Sequence, residues 1–418
     1  MRLAPVLIIA AASLDAGADE GRGSVGPPPI VHEAQLFGHE DGTEGTAGDE
    51  FGWSVAVFGD TLIVGARLDD VPGAGGGSAY VFVRSGSTWT EQAKLSVPDA
   101  AGFGWSVSID GDSVVVGGPL TLTGGVAYVF VRSGTTWTQQ QKLVPSDPTS
   151  NSGFGMSVAI SGDTIVIGAP QVGTGAAYVF VRSGTQWTEQ QKLLASDGLP
   201  GDRLGIGVAI SGDTALVGAA FDDLPSGTDA GSAYVFVRSG ATWTEQQKLV
   251  APGSVHSSNW FGAAVSLSGD TAAVGAPQES GGGPLAGSAY VYVRSGTTWS
   301  LQQKLLASDG ANSDVFGSSV ALAGDVLFVG APGDDTVAGT DAGSAYLFLR
   351  SGSTWSEVQK LLAPDGAADD FFGSSAAFYG DTAVLGALWD DTPGGDNSGS
   401  AHVFRGSVPV GLQSFGVE

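Results

Sequence analysis

Three loops of similar sequence concentrate carboxylates in a pattern suited to metal binding. The nine aspartates concerned are Asp222, Asp223, Asp229, Asp334, Asp335, Asp341, Asp390, Asp391 and Asp396. Hard oxygen ligands on a glycine-containing loop are what Ca²⁺ requires, so these residues predict calcium sites. The alternative is that the aspartates close Asx turns in solvated loops.

Tryptophans are the second group that could bind a ligand. Six of them stand beside a constant turn, once per repeat, which favours packing between repeats over a sugar platform; these are Trp89, Trp137, Trp187, Trp243, Trp299 and Trp355. Trp53, Trp105, Trp260 and Trp389 break this pattern. Trp260 and Trp389 fall at or in variable loops, and we predict that they stack on a glycan or anchor a protein partner.

Composition narrows the range of partners. The 418 residues carry a formal net charge of −26, and no basic run compensates for it. Nucleic acids and anionic lipid surfaces need a positive patch, so we expect neither as a partner. The chain has 67 glycines, and each costs about 1 kcal/mol in a helix relative to alanine. Short strands and tight turns are therefore expected.

The N-terminus has the pattern of a secretory signal. Arg2 precedes an apolar stretch, and small residues follow at Ala16-Gly17-Ala18, which predicts a cleaved signal over residues 1–18 and a linker over 19–30. The apolar stretch is too short for a membrane span. We therefore expect a secreted, extracellular or cell-surface protein, and with no cysteine it is held together without disulfides.

A repeat of roughly 50 to 57 residues organises the chain. The pair Phe-Gly begins six copies and Leu204-Gly205 begins the remaining one; the Phe-Gly copies start at Phe51, Phe103, Phe154, Phe261, Phe316 and Phe372. In the third copy we predict four antiparallel strands, separated by a Gly162-Asp163 turn, a variable loop and a Ser183-Gly184 turn. The second and third strands are apolar at nearly every residue, so both of their faces must be covered, as they are in stacked propeller blades.

The last copy lacks its fourth strand. The segment Ala34-Gln35-Leu36-Phe37 precedes the first Phe-Gly and parallels Gln303-Lys304-Leu305-Leu306. We predict that residues 31 to 37 supply the missing outer strand. The expected fold is all-β, a seven-bladed β-propeller of four-stranded antiparallel blades over residues 31–405, closed by an N-terminal strand and followed by a tail at 406–418.

The Phe-Gly pairs and the Gly-Ala-Pro triplets at 168–170, 275–277 and 330–332 resemble the FG-GAP repeat of the integrin alpha-chain propeller and of bacterial secreted proteins. The resemblance implies seven blades and a role in adhesion or extracellular recognition. Calcium-binding members carry an Asp-x-Asp-x-Asp-Gly-like loop between the first and second strands. Here only Gly-Asp turns stand in that place, so the family's calcium site does not transfer to any residue.

Catalysis finds little support in the sequence. The histidines at 32, 39, 256 and 402 are scattered. His402 replaces the Tyr of the third strand, which favours a core substitution over a ligand. We therefore predict that the protein is not an enzyme.

The variable loops follow the second and fourth strands and so emerge at one face of the ring, where binding usually occurs. Most carboxylates lie in these loops, opposed only by Arg67 and Arg203. We predict a monomeric recognition or adhesion module that binds an extracellular protein or carbohydrate there with the assistance of Ca²⁺. A structural scaffold without a ligand is one alternative, and a polysaccharide hydrolase or lyase is another.

Overall fold

The computed structural model describes residues 29–40, 43–44, 46–70, 76–121, 123–225, 227–253, 258–280 and 283–406. The predicted signal segment, most of the linker, the tail from residue 407, Asp41 and His256 lie outside these residues. No described residue is helical, and the described chain contains no helix long and apolar enough to cross a membrane.

Seven four-stranded antiparallel sheets form the blades of a β-propeller. Their inner strands contact one another around the ring and are β4 (Phe51–Phe58), β8 (Ser106–Asp110), β12 (Ser157–Ser161), β16 (Val208–Ser211), β20 (Val265–Ser268), β24 (Ser319–Ala323) and β28 (Phe372–Tyr379). The second strands are β5 (Thr61–Ala66), β9 (Ser113–Gly118), β13 (Thr164–Ala169), β17 (Thr214–Ala219), β21 (Thr271–Ala276), β25 (Val326–Ala331) and β29 (Thr382–Ala387).

The third strands are β6 (Ser78–Ser85), β10 (Val126–Ser133), β14 (Ala176–Ser183), β18 (Ser232–Ser239), β22 (Ser288–Ser295), β26 (Ser344–Ser351) and β30 (Ser400–Arg405). The outer strands are β7 (Thr88–Leu95), β11 (Thr136–Leu143), β15 (Gln186–Leu193), β19 (Thr242–Leu249), β23 (Thr298–Leu305), β27 (Thr354–Leu361) and β1 (Val31–Leu36). We number the blades 1 to 7 from β4 to β28. The short strands β2 (His39–Glu40) and β3 (Thr43–Glu44) form a separate hairpin.

The predicted closure of the ring is confirmed. Strand β1 pairs antiparallel with β30, from Val31 opposite Arg405 to Leu36 opposite Ala401. Leu36 is buried, whereas Phe37 lies just beyond the strand and is partly exposed. Blade 7 therefore combines three strands from the end of the described chain with one from its beginning.

The recurring glycines allow neighbouring blades to approach each other. Gly104 has a φ of +88°, and a Cβ there would lie 2.1 Å from the Ser78 carbonyl oxygen of blade 1. A Cβ on Gly65 of blade 1 would in turn lie 2.0 Å from the Gly104 carbonyl oxygen. The Gly of each Phe-Gly pair thus packs against the Gly-Ala segment of the preceding blade, which no side chain would permit.

Glutamine side chains join adjacent blades at the outer rim. Trp243 N–H donates to Gln191 Oε1 (2.8 Å), and Gln191 Nε2 donates to the Trp243 carbonyl (2.7 Å). We call this pair of bonds the glutamine clamp. It joins Gln141 to Trp187, Gln191 to Trp243, Gln247 to Trp299, Gln303 to Trp355, and Gln359 to Ile30. The last clamp fixes the start of β1.

The six recurring tryptophans are buried, as inter-blade packing requires. Five donate an indole N–H to another glutamine of the preceding blade, and the pairs are Trp137 with Gln92, Trp187 with Gln140, Trp243 with Gln190, Trp299 with Gln246, and Trp355 with Gln302. These side chains therefore hold the blades together.

Candidate functional site

The two ends of the propeller differ in chemistry. At the end with constant turns, the arginine after each third strand pairs with the aspartate of the Gly-Asp turn in its own blade. Arg182 Nε lies 2.7 Å from Asp163 Oδ1, and its Nη1 donates to Ser113 Oγ of the preceding blade (3.1 Å). The same arginine–aspartate pair recurs in all seven blades. At this end the charged groups are paired with one another and the turns are nearly identical between blades. We therefore take the other end, where the loops vary, as the candidate site.

Lysines from the outer strands reach the acidic loops at the variable end. Lys248 Nζ lies 2.7 Å from both Asp197 Oδ2 and Asp222 Oδ2, and the Tyr234 hydroxyl donates to Asp197 (2.7 Å). Blade 6 repeats this arrangement with Lys360, Asp309, Asp334 and Tyr346. The expectation that only Arg67 and Arg203 oppose the carboxylates was therefore wrong.

Within these networks Asp197 and Asp309 are held in the charged form, because their pKa values are lowered. Burial raises the pKa of Asp197, but hydrogen bonds from Lys248 and Tyr234 outweigh it, so the pKa is lowered overall. Burial similarly disfavours the charged form of Lys248, and its contacts with Asp197 and Asp222 raise its pKa nonetheless. Each such lysine acts as a permanent internal cation.

The predicted calcium ligands occupy different environments. Asp222 and Asp334 are buried against Lys248 and Lys360. Asp223 is exposed and accepts the Asp229 N–H (2.9 Å).

The other two loops follow the same plan, with one substitution. Asp335 accepts the Asp341 N–H (3.0 Å), and Asp391 accepts the N–H of Asn397 rather than of Asp396 (2.8 Å). The predicted aspartates of these loops do not form, among themselves, a group of three or more with ligand atoms within 4.8 Å of one another. Among the described residues, the group that meets this distance is Asp365, Asp390 and His402. Calcium at these loops stays a prediction.

The variable end also carries two arginine–aromatic patches close to the inner strands. The Arg67 patch consists of Glu50, Trp53, Arg67, Trp105, Phe371 and Trp389. Its central guanidinium carbon lies 3.2 Å from the ring centroid of Trp53 and 4.5 Å from that of Trp105, and Arg67 Nε donates to Glu50 Oε2 (2.5 Å). Such stacking is favourable electrostatically and fixes the guanidinium plane.

Trp389 belongs to the Arg67 patch. Its ring meets Phe371 edge to face, with centroids 4.8 Å apart, and its Nε1 lies 3.4 Å from Glu50 Oε1. Trp389 and Trp105 remain partly exposed, whereas Trp53 is 1% exposed. The patch therefore spans blades 7, 1 and 2 and offers two aromatic surfaces to solvent.

Trp260 lies in a second, separate patch on blades 4 and 5. The Trp260 patch consists of Arg203, Phe221 and Trp260. The ring centroids of Phe221 and Trp260 are 5.1 Å apart, and the Arg203 guanidinium lies 4.2 Å from the Phe221 centroid. The two tryptophans predicted to bind a ligand therefore do not meet.

A backbone feature common to all blades positions these patches. The residue before each Phe-Gly or Leu-Gly pair has a positive φ. Blades 2 and 3 place glycine there, and the other blades place Glu50, Arg203, Trp260, Val315 and Phe371, with φ between 51° and 59°. A left-handed conformation costs these residues about 1–2 kcal/mol each. Five blades therefore carry a large side chain at a position where blades 2 and 3 have glycine. In the sequence, this strained position can be located as the residue directly before each Phe-Gly or Leu-Gly pair.

Negative charge surrounds the patches. Burial, with Asp390, Asp365 and Asp391 close by, raises the pKa of Asp370 to about 7. Burial also raises the pKa values of Asp202 and Asp314, again assisted by neighbouring aspartates. Cationic or neutral ligands are favoured by this field.

Comparison with known families accounts for nearly the whole described chain. The family model described as FG-GAP repeat matches residues 42–82, 89–130, 137–180, 187–236, 243–292, 299–348 and 355–404. From the second segment onward, each begins in an outer strand and continues through the first three strands of the following blade. No curated protein matches the chain.

Proposed function

Because the chain belongs to the FG-GAP repeat family, we propose that it is an extracellular recognition or adhesion module. It binds a protein or carbohydrate ligand through the variable-loop end of the propeller. Repeats of this family are typical of extracellular and surface proteins, and the signal-like pattern of residues 1–18 supports export. Loops on a rigid scaffold provide such binding surfaces.

The observation that carries this proposal is the set of large side chains at positive φ. Five blades hold Glu50, Arg203, Trp260, Val315 or Phe371 in a conformation that glycine would adopt at lower cost. Strain of this kind persists where the position of a side chain matters to function. Four of these residues belong to the two arginine–aromatic patches, which links the strain to a binding surface.

The patches suit ligands with apolar faces and hydrogen-bonding edges. The partly exposed rings of Trp105, Trp260 and Trp389 provide flat surfaces for a sugar ring or for an apolar protein side chain. The surrounding carboxylates add attraction for basic groups. Calcium bound by the exposed Asp223, Asp335 or Asp391 would relieve part of the repulsion among them.

We propose binding rather than catalysis because the loop carboxylates of blades 4 and 6 are engaged by lysine and tyrosine. Asp197 and Asp222 share Lys248, and Asp309 and Asp334 share Lys360. A carboxylate whose pKa is lowered by such an ion pair, as that of Asp197 is, is a weak general acid or base, because proton transfer is most efficient when the pKa lies near the working pH.

The test is binding of the purified full chain to arrays of glycans and matrix proteins, with calcium and with chelator. Trp389→Ala and Trp260→Gly should each weaken binding at least tenfold if the ligand spans their patch, and Trp260→Gly also relieves the strained backbone. Thr185→Ala, an exposed turn position at the opposite end, serves as the matched control.

Unchanged binding in both tryptophan variants would contradict the proposed surface. A chain that retains no ligand would instead support the scaffold alternative. Release of product from polysaccharides would support an enzyme.

A further inference from the structure

Blade 7 contains an altered version of the lysine network. Asp365 precedes the first strand of blade 7 as Asp197 precedes that of blade 4, and Asp390 follows the second strand as Asp222 does. In blade 4, Tyr234 pairs across the sheet with Lys248. In blade 7, His402 pairs across the sheet with Gln35 of the closing strand β1. Tyrosine and lysine are thus replaced by histidine and glutamine at the same positions.

This replacement removes the cation but keeps both carboxylates. In blades 4 and 6 one ammonium lies within 2.7 Å of two carboxylates. Gln35 can supply only an amide, and its Nε2 donates to Asp390 Oδ2 at 3.1 Å. Asp390 is buried and Asp365 is half exposed. Two carboxylates that share no ammonium are costly to hold near each other in a partly buried site.

The histidine brings a metal-binding nitrogen to these carboxylates. His402 is completely buried, and its Nε2 lies 3.9 Å from Asp365 Oδ1. One ligand atom from each of Asp365, Asp390 and His402 lies within 4.8 Å of the others. Ligand atoms around a tetrahedral zinc are about 3.4 Å apart, given metal–ligand distances of about 2.1 Å. A small movement of the half-exposed Asp365 closes that difference.

A second, independent contact orients the imidazole. His402 Nδ1 lies 3.3 Å from Nε2 of His32, which is on β1. A proton on Nδ1 of His402 directed at His32 leaves Nε2 unprotonated, where it lies 3.0 Å from Ser400 Oγ. A metal ion at this nitrogen replaces the bond to the Ser400 hydroxyl, which can turn to donate to Asp390 instead. Metal-binding histidines are held in this way, with the second ring nitrogen bonded to a neighbour.

We propose that Asp365, Asp390 and His402 bind one divalent transition-metal ion of the zinc class, in the place that lysine occupies in blades 4 and 6. One imidazole and two carboxylates suit Zn²⁺ and its first-row neighbours, whereas Ca²⁺ prefers oxygen ligands alone. The ion restores the missing positive charge and joins the loop before blade 7 to β30. Through His32 and Gln35 it also stabilises the closing strand.

The experiment is calorimetric titration of the tag-free full chain, stripped with chelator, with Zn²⁺ and in parallel with Ca²⁺. We expect one Zn²⁺ per chain at this site. At about 100 times Kd, a ligand that binds only the folded state should raise Tm by about 3 °C for a chain of this size. Co²⁺ should bind as well and give a visible spectrum of a nitrogen- and oxygen-ligated ion.

Two variants make the test specific. Asp365→Asn should weaken Zn²⁺ binding at least tenfold, and its half-exposed position makes misfolding an inadequate explanation. The double variant His402→Tyr with Gln35→Lys rebuilds the network of blades 4 and 6. It should fold without metal, lose the Zn²⁺ heat and melt at a temperature that Zn²⁺ no longer changes.

A wild-type chain that gives no Zn²⁺ heat would overturn the proposal. So would an equal stoichiometry and affinity in both variants, which would place the ion elsewhere. Neither result affects the proposed ligand surface, because the Arg67 and Trp260 patches contain none of these three residues.

Discussion

The clamp between Gln359 and Ile30 offers a direct test of how the ring is closed. Ile30 N–H donates to Gln359 Oε1 at 3.0 Å, and Gln359 Nε2 donates to the Ile30 carbonyl at 2.8 Å. A hydrogen bond contributes about 0.5–1.5 kcal/mol net, so Gln359→Ala should lower the free energy of unfolding by about 1–3 kcal/mol. Ile30 is only 2% exposed, so water replaces the lost bonds poorly, which favours the upper part of that range.

The assay is equilibrium unfolding in urea, together with amide hydrogen exchange. Gln191→Ala is the matched control. It removes the same two hydrogen bonds, but between blades 3 and 4, which are consecutive in the chain. Both variants should lose similar stability, but only Gln359→Ala should accelerate exchange within β1. No covalent hairpin joins that strand to its blade, so it depends on pairing with β30, on side-chain contacts such as those of Gln35 and His32, and on the clamp. A Gln359→Ala chain that loses less than about 0.5 kcal/mol, with β1 exchange unchanged, would refute this account of ring closure.

Two single substitutions, one suggested by the repeat comparison and one by a shifted pKa, test stability further. Ala93 stands where the neighbouring blades have the clamp glutamine, so the side chain of an Ala93→Gln variant should form hydrogen bonds with the Trp137 backbone. The free energy of unfolding should rise by up to about 1 kcal/mol once the lost side-chain entropy is subtracted. An unchanged midpoint of urea unfolding would contradict this prediction. Burial raises the pKa of Asp370 from 3.8 to about 7, so the folded chain binds an extra proton in that window and loses stability as pH rises from 4 to 7. The Asp370→Asn variant keeps an oxygen that can accept the Ala367 N–H, which Asp370 accepts at 2.6 Å. The variant protein should therefore be more stable than the wild type at pH 8 and equally stable near pH 4. Urea unfolding at both pH values checks this.

The blade architecture could be predicted because each repeat carries its own physical signature. The Phe-Gly pair marks a place where the backbone of one blade meets the Gly-Ala segment of its neighbour, as Gly104 meets Gly65. A contact that admits no Cβ leaves glycine as the only solution, so the sequence displays it in every copy. The closing strand was predictable because its sequence matches the other outer strands. Leu36 is buried opposite Ala401, as the last leucine of another outer strand, Leu305, is buried opposite Ala289.

The chemistry of the acidic end was harder to predict, because it depends on contacts between different loops and strands. Lys248 lies in a polar outer strand that reads as a solvated edge, yet its ammonium reaches Asp197 and Asp222. The aspartates therefore looked unopposed in sequence. Similarly, nothing in the local sequence places Arg67 over Trp53; only the position of Trp53 directly after Phe51-Gly52 indicates that it lies at the loop end of an inner strand.

His402 illustrates how a repeat can reveal a site that a single motif does not. The sequence favours a core substitution at this position, and His402 is completely buried. The informative signal is the joint replacement of Tyr by His402 and of Lys by Gln35, two residues far apart in sequence but opposite each other in the sheet. A comparison of blades by structural position finds this pair at once, whereas a search for spaced ligands does not.

The location of this pair has a consequence for the whole ring. The other outer strands follow directly from the third strand of their own blade, so their lysines reach the loop carboxylates without closing the ring. Strand β1 must instead find β30 from the opposite end of the chain, and it brings Gln35 and His32 rather than lysine and tyrosine. On our proposal the missing charge is supplied by a metal ion whose ligands flank that junction. Ring closure would then be strongest where the metal is available, which ties the stability of the proposed recognition surface to the metal concentration around the protein.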